Sequence, residues 1–325
     1  MFYDVITIGS ATRDVYLRSP AFDLIKSDKF STGTGSCLAL GSKNEASEIF
    51  LDTGGGATNV AITFGNLKLK TGTITNIGDD PAGKEIIQIL KKSKVDTSLI
   101  QRDRKHFTSY STLLLTKSGH RSILVYRGAS KFLNWKKVPK DIRTKWFYIT
   151  SLAGNIKLLK EIFKFAKKNK IRIAWNPGKK ELEFGAKKLK GLIRQAEVFN
   201  LNREEATKLV REVYKDKKKI FKKMEKLESR IIVITDGARG AYARNDGQWY
   251  FAKSFGTKPV NTTGAGDAFG SGFVSGLIIK NDLKYALALA TINADGLIQK
   301  MGAKSGVLTK LPSKKEIERV VIKKI

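Results

Sequence analysis

Along this chain short apolar runs alternate with amphipathic stretches from one end to the other. Runs such as VITI at 5–8, WFYI at 146–149 and IIVIT at 231–235 are rich in β-branched and aromatic residues, as buried strands are. Between them, apolar positions return every three or four residues. The pattern predicts core strands over 5–8, 73–77, 146–149, 171–175, 198–200 and 231–235. It predicts helices over 81–92, 156–169 and 204–213, the first opened by Pro81. Strand and helix in alternation imply parallel βαβ units, hence one α/β domain over 1–325 with a mainly parallel sheet between two helical layers.

One stretch breaks the rhythm. Residues 9–54 hold a polar loop, SDKFSTGTGS, and then two short alternating runs near Leu38 and Ile49. Two further alternating runs, STLLL and SILVY, are joined by KSGH and read as a hairpin. Together they predict a small β lid over about 14–53, extended by 107–127.

Composition narrows the partners. Of 325 residues 41% are hydrophobic, which suits a packed core, and the single Cys37 leaves no intrachain disulfide and fits a reducing cytoplasm. The start, MFYDVITIGS, reads as a strand rather than a leader, and no apolar run approaches the ~20 residues of a spanning helix. The expectation is a cytoplasmic protein away from membranes. The 61 Lys and Arg against 30 Asp and Glu give +31, enough to attract polyanions. The basic residues are scattered over helix faces, without an aromatic-rich RNA motif or zinc-finger spacing, so a solvated basic surface is expected and nucleic acid is not.

Four glycine-rich or acidic runs carry the chemistry. In NTTGAGD, at 261–267, a Gly-Ala-Gly turn opens a helix, so the amides of Gly264, Ala265 and Gly266 can face an anion at a helix N-terminus. Asp267 then falls in the first turn, where a carboxylate is either a helix-start residue or a base within reach of a hydroxyl. In GGGATN, at 54–59, three glycines are either a tight βα turn or a place where a ligand approaches backbone, the latter explaining the entropic cost better. NREE at 202–205 and TDGARG at 235–240 each follow a strand, at the edge where open α/β sheets bind ligands; Asn202 alone is also a plain helix cap.

Taken in order, GGGATN, NREE, TDGARG and NTTGAGD resemble the ribokinase or PfkB family of carbohydrate and nucleoside kinases. GSATRD, IGDDPAGKE, YRGA and ATINADGLIQKMGA extend the resemblance over nearly the whole chain. It implies a ribokinase-like α/β/α sandwich using ATP and Mg²⁺. It implies Asp267 as catalytic base and Gly264, Ala265 and Gly266 as an anion hole. Asn202 and Glu205 would position phosphate and Mg²⁺, Glu205 through water, while Thr235, Gly237 and Gly240 lie along the nucleotide and Asn293 lines the adenine. Asp14, Gly55, Gly56 and Asn59 would bind sugar hydroxyls. A monovalent cation such as K⁺ would sit at Asn261 and Thr263.

Departures bear on the substrate. Gly56 stands where ribokinases carry Lys, Thr12 replaces Asn, SLAGN lacks a sugar-binding carboxylate, and Asn261 replaces the Asp of the cation site. A small sugar is the expected acceptor and a nucleoside the alternative; an inactive kinase-fold protein binding nucleic acid is the remote one. GDDPAGK mimics a P-loop, but Glu85 stands where Ser or Thr must reach Mg²⁺. His106 and His120 show no zinc spacing. The alternating runs near Leu38 and Ile49 offer edges for a homodimer formed through the lid.

Overall fold

In the computed structural model, residues 2–30, 33–116 and 121–325 are described. The KSGH turn, with His120, lies outside them. The N-terminal part holds strands β1 (Phe2–Ile8), β2 (Thr12–Arg18), β3 (Asp23–Lys26), β4 (Thr34–Cys37) and β5 (Glu48–Gly54), then helix α1 (Gly56–Asn66). Strands β6 (Thr71–Ile74) and β7 (Asn76–Gly78), helix α2 (Pro81–Lys92), and strands β8 (Gln101–Asp103), β9 (Ser109–Leu115) and β10 (Arg121–Tyr126) follow. The middle alternates β11 (Arg143–Ile149), α3 (Ile156–Lys168), β12 (Arg172–Trp175), α4 (Lys179–Leu182), α5 (Gly185–Ile193), β13 (Val198–Asn202), α6 (Arg203–Val210), α7 (Lys217–Glu225) and β14 (Ile231–Thr235). It closes with β15 (Gly240–Asn245), β16 (Gln248–Lys253), α8 (Ala265–Lys280), α9 (Leu283–Ile298), α10 (Lys314–Glu318) and β17 (Ile322–Lys324).

Nine strands form the main sheet in the order β17-β16-β15-β14-β13-β12-β11-β1-β6. The six from β14 to β6 run parallel and the other three are antiparallel. Strand alternation splits the core into two layers. In WFYI of β11, Phe147 and Ile149 pack with Leu159 and Phe163 of α3, Leu189 of α5 and Met224 of α7. Trp146 and Tyr148 pack with Phe64 of α1, Phe273 of α8 and Leu287 of α9 on the opposite face. This is the three-layer α/β/α arrangement that the alternating runs predict.

Helices α8 and α9 approach closely: a Cβ on Gly276 would lie 2.5 Å from the Cα of Ala286, and one on Gly272 2.9 Å from that of Ala290. Glycine interrupts the apolar run of α8 because two backbones nearly touch. No helix among the described residues is long and apolar enough to cross a membrane.

A second sheet, ordered β10-β9-β2-β5, stands beside the first. Its strand β2 buries Thr12, Asp14 and Tyr16 on one face, and Asp14 is flanked in register by Asp52 and Ser111. Two local expectations are corrected. The strand read over 73–77 is two: β6 joins the main sheet, whereas β7 leaves it after Thr75 to pair with β8. The run near Leu38 is not a strand; β4 ends at Cys37, and Leu38 and Leu40 are exposed, so their spacing follows no buried face. The helix expected over 204–213 stops at Val210, where Arg211 takes a left-handed conformation (φ 52°).

Candidate active site

The site is built where the parallel strands end. Gly264 caps α8 with φ 81°, and a Cβ there would press within 2.7 Å of the Ala303 carbonyl, so glycine is needed both for the turn and for this contact. Upstream, the Asn261 Oδ1 accepts from the Thr263 N–H at 2.7 Å and fixes the approach to the turn. The Ala265 N–H donates to the Thr262 carbonyl at 3.2 Å, within the turn, while Gly266 opens on free space, with nothing within 4 Å of where its Cβ would be.

Asp267 sits one step into α8, partly open to a cavity. Asn59, on the first turns of α1, donates from Nδ2 to Asp267 Oδ2 at 2.8 Å. Loss of water around Asp267 pushes its carboxyl up to about 6, opposed by the Asn59 bond and the charge of Lys304. Burial likewise pushes Asp14 up to about 6, again opposed by Lys304. Both carboxylates line a cavity of about 360 Å³ together with Gly55, Gly56 and Asn59.

The three glycines at 54–56 have a different explanation from ligand approach alone. A Cβ on Gly54 would strike the Asp14 carboxylate, one on Gly55 (φ 92°) the Ser10 carbonyl, and one on Gly56 the Thr150 side chain, at 2.0, 2.5 and 2.7 Å. Three separate internal contacts each exclude a side chain, and Gly55 and Gly56 still face the cavity.

A smaller cavity, about 180 Å³, lies behind Asp267 and is lined by Asn176, Asn200, Asn202, Glu205 and Thr235. Asn202 and Glu205 close a capping box: Asn202 Oδ1 accepts from the Glu205 N–H at 2.8 Å and Glu205 Oε2 from the Asn202 N–H at 2.9 Å. Burial holds the Glu205 carboxyl above the usual range. The side-chain carbonyl of Asn200 is buried with no hydrogen-bond partner. An oxygen-rich set with an orphaned carbonyl and a single-sided carboxylate fits a hard divalent ion held mainly through water. Asn261 fits a monovalent cation poorly: its amide is neutral, its oxygen is engaged by Thr263, and its Nδ2 faces the Met301 sulfur at 4.0 Å.

Next to it runs a mostly apolar groove of about 220 Å³, lined by Thr235, Gly237, Gly240, Thr291, Ala294 and Ile298, among others. The three spaces are contiguous. Gly264 and Asp267 line both the 360 and 180 Å³ cavities, and Thr235, Ala265 and Gly266 line both the 180 Å³ cavity and the groove.

Asn293 is not in this groove. Its Nδ2 donates to the Ala268 carbonyl at 2.7 Å and to Thr63 Oγ1 at 3.2 Å, and its Oδ1 accepts from the Leu308 N–H at 2.8 Å, all in the interior. Facing inward from α9, it leaves the groove wall to Thr291, Ala294 and Asp295.

Two buried charges escaped the sequence reading. Lys304 donates to the carbonyl and hydroxyl of Thr53, and the adjacent Ala303 N–H donates to Asp52 Oδ2 at 3.1 Å, so the 302–304 loop grips the root of β5. Burial pulls the Lys304 ammonium down to about 8 despite Asp52, Asp14 and Asp267 nearby. Glu181 is also buried. Its carboxylate accepts from the N–H groups of Leu152, Gly154 and Gly178 at 2.8, 2.8 and 3.0 Å and from Ser151 Oγ at 3.1 Å. It thereby holds the 151–154 loop, part of the acceptor cavity wall, with Ala153 at φ 58°. Only the MGA run before Lys304 and the NPG turn before Glu181 hinted at either.

Residues 4–310 match the family model described as pfkB family carbohydrate kinase. A probable fructokinase-5 of Arabidopsis thaliana is 27% identical over 303 residues, spanning 84% of this chain and 89% of its own. A ribokinase of Haemophilus influenzae is 25% identical over 79% of this chain and 84% of its own. Among solved structures, the Methanocaldococcus jannaschii nucleoside kinase aligns with a TM-score of 0.79 at 18% identity, covering 98% of this chain and 99% of that one. The Arabidopsis thaliana ribokinase complexed with ribose and ATP aligns at 0.75 and 19% identity, with 98% of both chains covered. At those identities the structures establish the ribokinase fold.

Proposed function

Because the chain belongs to the pfkB family of carbohydrate kinases, we propose that it transfers the γ-phosphoryl group of ATP to a hydroxyl of a small sugar, with Asp267 as the base. The observation that carries this reading is the continuity of the three spaces: a nucleotide groove, an oxygen-lined middle cavity and an acceptor cavity meet at Gly264 and Asp267.

Phosphoryl transfer asks for alignment and charge neutralisation more than covalent work. The acceptor hydroxyl lies against Asp14 and Asn59, and Asp267 takes its proton as the new O–P bond forms. The Asn59 bond fixes the rotamer of Asp267. The amides at Gly264 and Gly266, at the positive end of α8, face the transferring group; Ala265 contributes the turn rather than a free donor. Mg²⁺, when bound, neutralises charge on the phosphates; Glu205 and Asn202 would hold it through water. Thr235, Gly237 and Gly240 flank the nucleotide. The sheet of β10, β9, β2 and β5 acts as a lid that keeps water from the reacting hydroxyl.

A sugar is favoured over a nucleoside because the acceptor cavity is lined by hydroxyls, glycines and small aliphatics, with no aromatic ring among its described lining residues on which a base could stack. The nucleoside reading draws on the likeness to the nucleoside kinase fold. Coupled ADP release with Mg-ATP over a panel of sugars and nucleosides separates them, and turnover with nucleosides alone overturns the sugar reading.

The lid edges β10 and β5 expose Ile123, Leu124 and Ile49. We place a homodimer contact there; light scattering showing a monomer at all working concentrations would exclude it.

A further inference from the structure

The acceptor cavity carries charges of both signs, and they are kept apart. Asp14 and Asp267 line it together with Asn59, whereas Arg127 and Lys131 also contribute to the lining. The two cations bracket a short 3₁₀ turn, Gly128–Phe132, that is pinned from three directions. The Ala129 N–H donates to the Phe107 carbonyl at 2.8 Å, Asn76 Nδ2 donates to the Ala129 carbonyl at 2.9 Å, and the Ala11 N–H donates to Ser130 Oγ at 3.3 Å. A turn so fixed presents both side chains to the cavity at little entropic cost.

These cations do not serve the pocket's own carboxylates. The positive charges acting on Asp14 are those of Lys304 and Arg13, and the one acting on Asp267 is that of Lys304; neither Arg127 nor Lys131 features for either. Nor does any carboxylate among the described residues form an ion pair with Arg127 or Lys131. Arg13, one residue from Asp14, is by contrast paired with Glu85. A guanidinium and an ammonium are thus set on a cavity wall away from the reacting end, with serine hydroxyls (Ser109, Ser111, Ser130) between.

We propose that the acceptor is an anionic sugar derivative, whose carboxylate or phosphate is held by Arg127 and Lys131 while a hydroxyl at the far end of the molecule meets Asp267. This deepens the sugar-kinase reading and rests on it. Arg127 offers a fork that takes two oxygens of such a group, and Lys131 adds a point charge. A neutral sugar would leave both without a partner, and a nucleoside would have neither an anion for them nor a ring to stack on. Arg127 and Lys131 set specificity; they do not take part in the proton transfer.

The test compares gluconate and 2-ketogluconate (carboxylates), fructose 1-phosphate and fructose 6-phosphate (phosphates), and ribose and fructose (neutral) in coupled ADP release, with the unaltered chain, Arg127→Gln and Lys131→Gln. The expected result is that one charged class is preferred over the neutral sugars. Arg127→Gln should then raise its KM roughly tenfold to a hundredfold with kcat little changed, and leave the KM of neutral sugars where it was. Which arm responds tells carboxylate from phosphate. Neutral sugars used as well as charged ones, with no selective effect of either substitution, overturn the proposal while leaving the kinase reading intact. Should no sugar be turned over, calorimetric binding of the same panel to Asp267→Asn protein decides it. Charged-sugar binding lost on adding Arg127→Gln supports the subsite, and equal or absent binding of charged and neutral sugars overturns it.

Discussion

Asn59 and Asp267 lie 208 positions apart in the chain and share a hydrogen bond of 2.8 Å, one at the start of α1 and the other at the start of α8. The bond aims the carboxylate into the acceptor cavity and couples the two glycine turns that frame it. Asp267→Asn keeps the shape and removes the basicity. Turnover is expected to fall by roughly 10²- to 10⁴-fold with ATP binding unchanged. Steady-state kinetics with titration of a fluorescent ATP analogue check this, and a variant retaining full kcat would remove Asp267 from the role of base.

A second expectation concerns pH. Burial raises Asp267 and Asp14 to about 6. An ionised base is needed, so turnover should rise with pH through about 6. Stability moves the other way. Each carboxyl holds its proton more tightly folded than unfolded, where it titrates near ~4, so its stabilising contribution is complete below ~4 and is lost as pH rises through about 6. Lys304→Met deletes the charge that opposes both shifts. Its acid limb should move to higher pH, and an unmoved limb in the kcat/KM profile would show that Lys304 does not act on Asp267.

How far these groups could be read from the sequence depended on range. Period-two runs such as WFYI are local and reveal both the strand and its two buried faces, and the glycine turns at 54–56 and 264–266 are equally local. The split of 73–77 at Thr75 was hidden, because both halves are apolar and only the tertiary position of β8 makes β7 leave the sheet. Lys304 is one lysine in a chain with 61 Lys and Arg, and only contact with β5, some 250 positions earlier, buries it. Asn293 shows the reverse. Its place on α9 next to the groove is legible, yet which side of the helix it faces is set by the packing of α1 and α8.

Glu181 is expected to act on the acceptor alone. Three N–H groups and one hydroxyl converge on its carboxylate and hold the 151–154 loop. Glu181→Gln turns an NH₂ toward those donors. We expect the acceptor KM to rise about tenfold, the ATP KM to stay unchanged, and stability to drop by roughly 2 kcal/mol, read by thermal unfolding and kinetics. A matching rise in the ATP KM would mean general loosening and not control of one wall.

The last prediction separates two neighbours on α9. Ala294 lines the nucleotide groove and Asn293 bonds inward to Ala268, Thr63 and Leu308. Ala294→Phe places a ring where the nucleotide would lie, so the ATP KM should rise tenfold or more while acceptor binding holds. Asn293→Ala leaves the Leu308 N–H and the Ala268 carbonyl without partners in the interior, each costing about 1 to 3 kcal/mol. It should lower the melting temperature and leave the ATP KM of the folded fraction near its original value. Kinetics below the transition, beside a melting curve for each variant, tell the two effects apart. If Asn293→Ala instead raised the ATP KM with stability intact, its side chain would have to turn outward to meet the adenine when nucleotide binds.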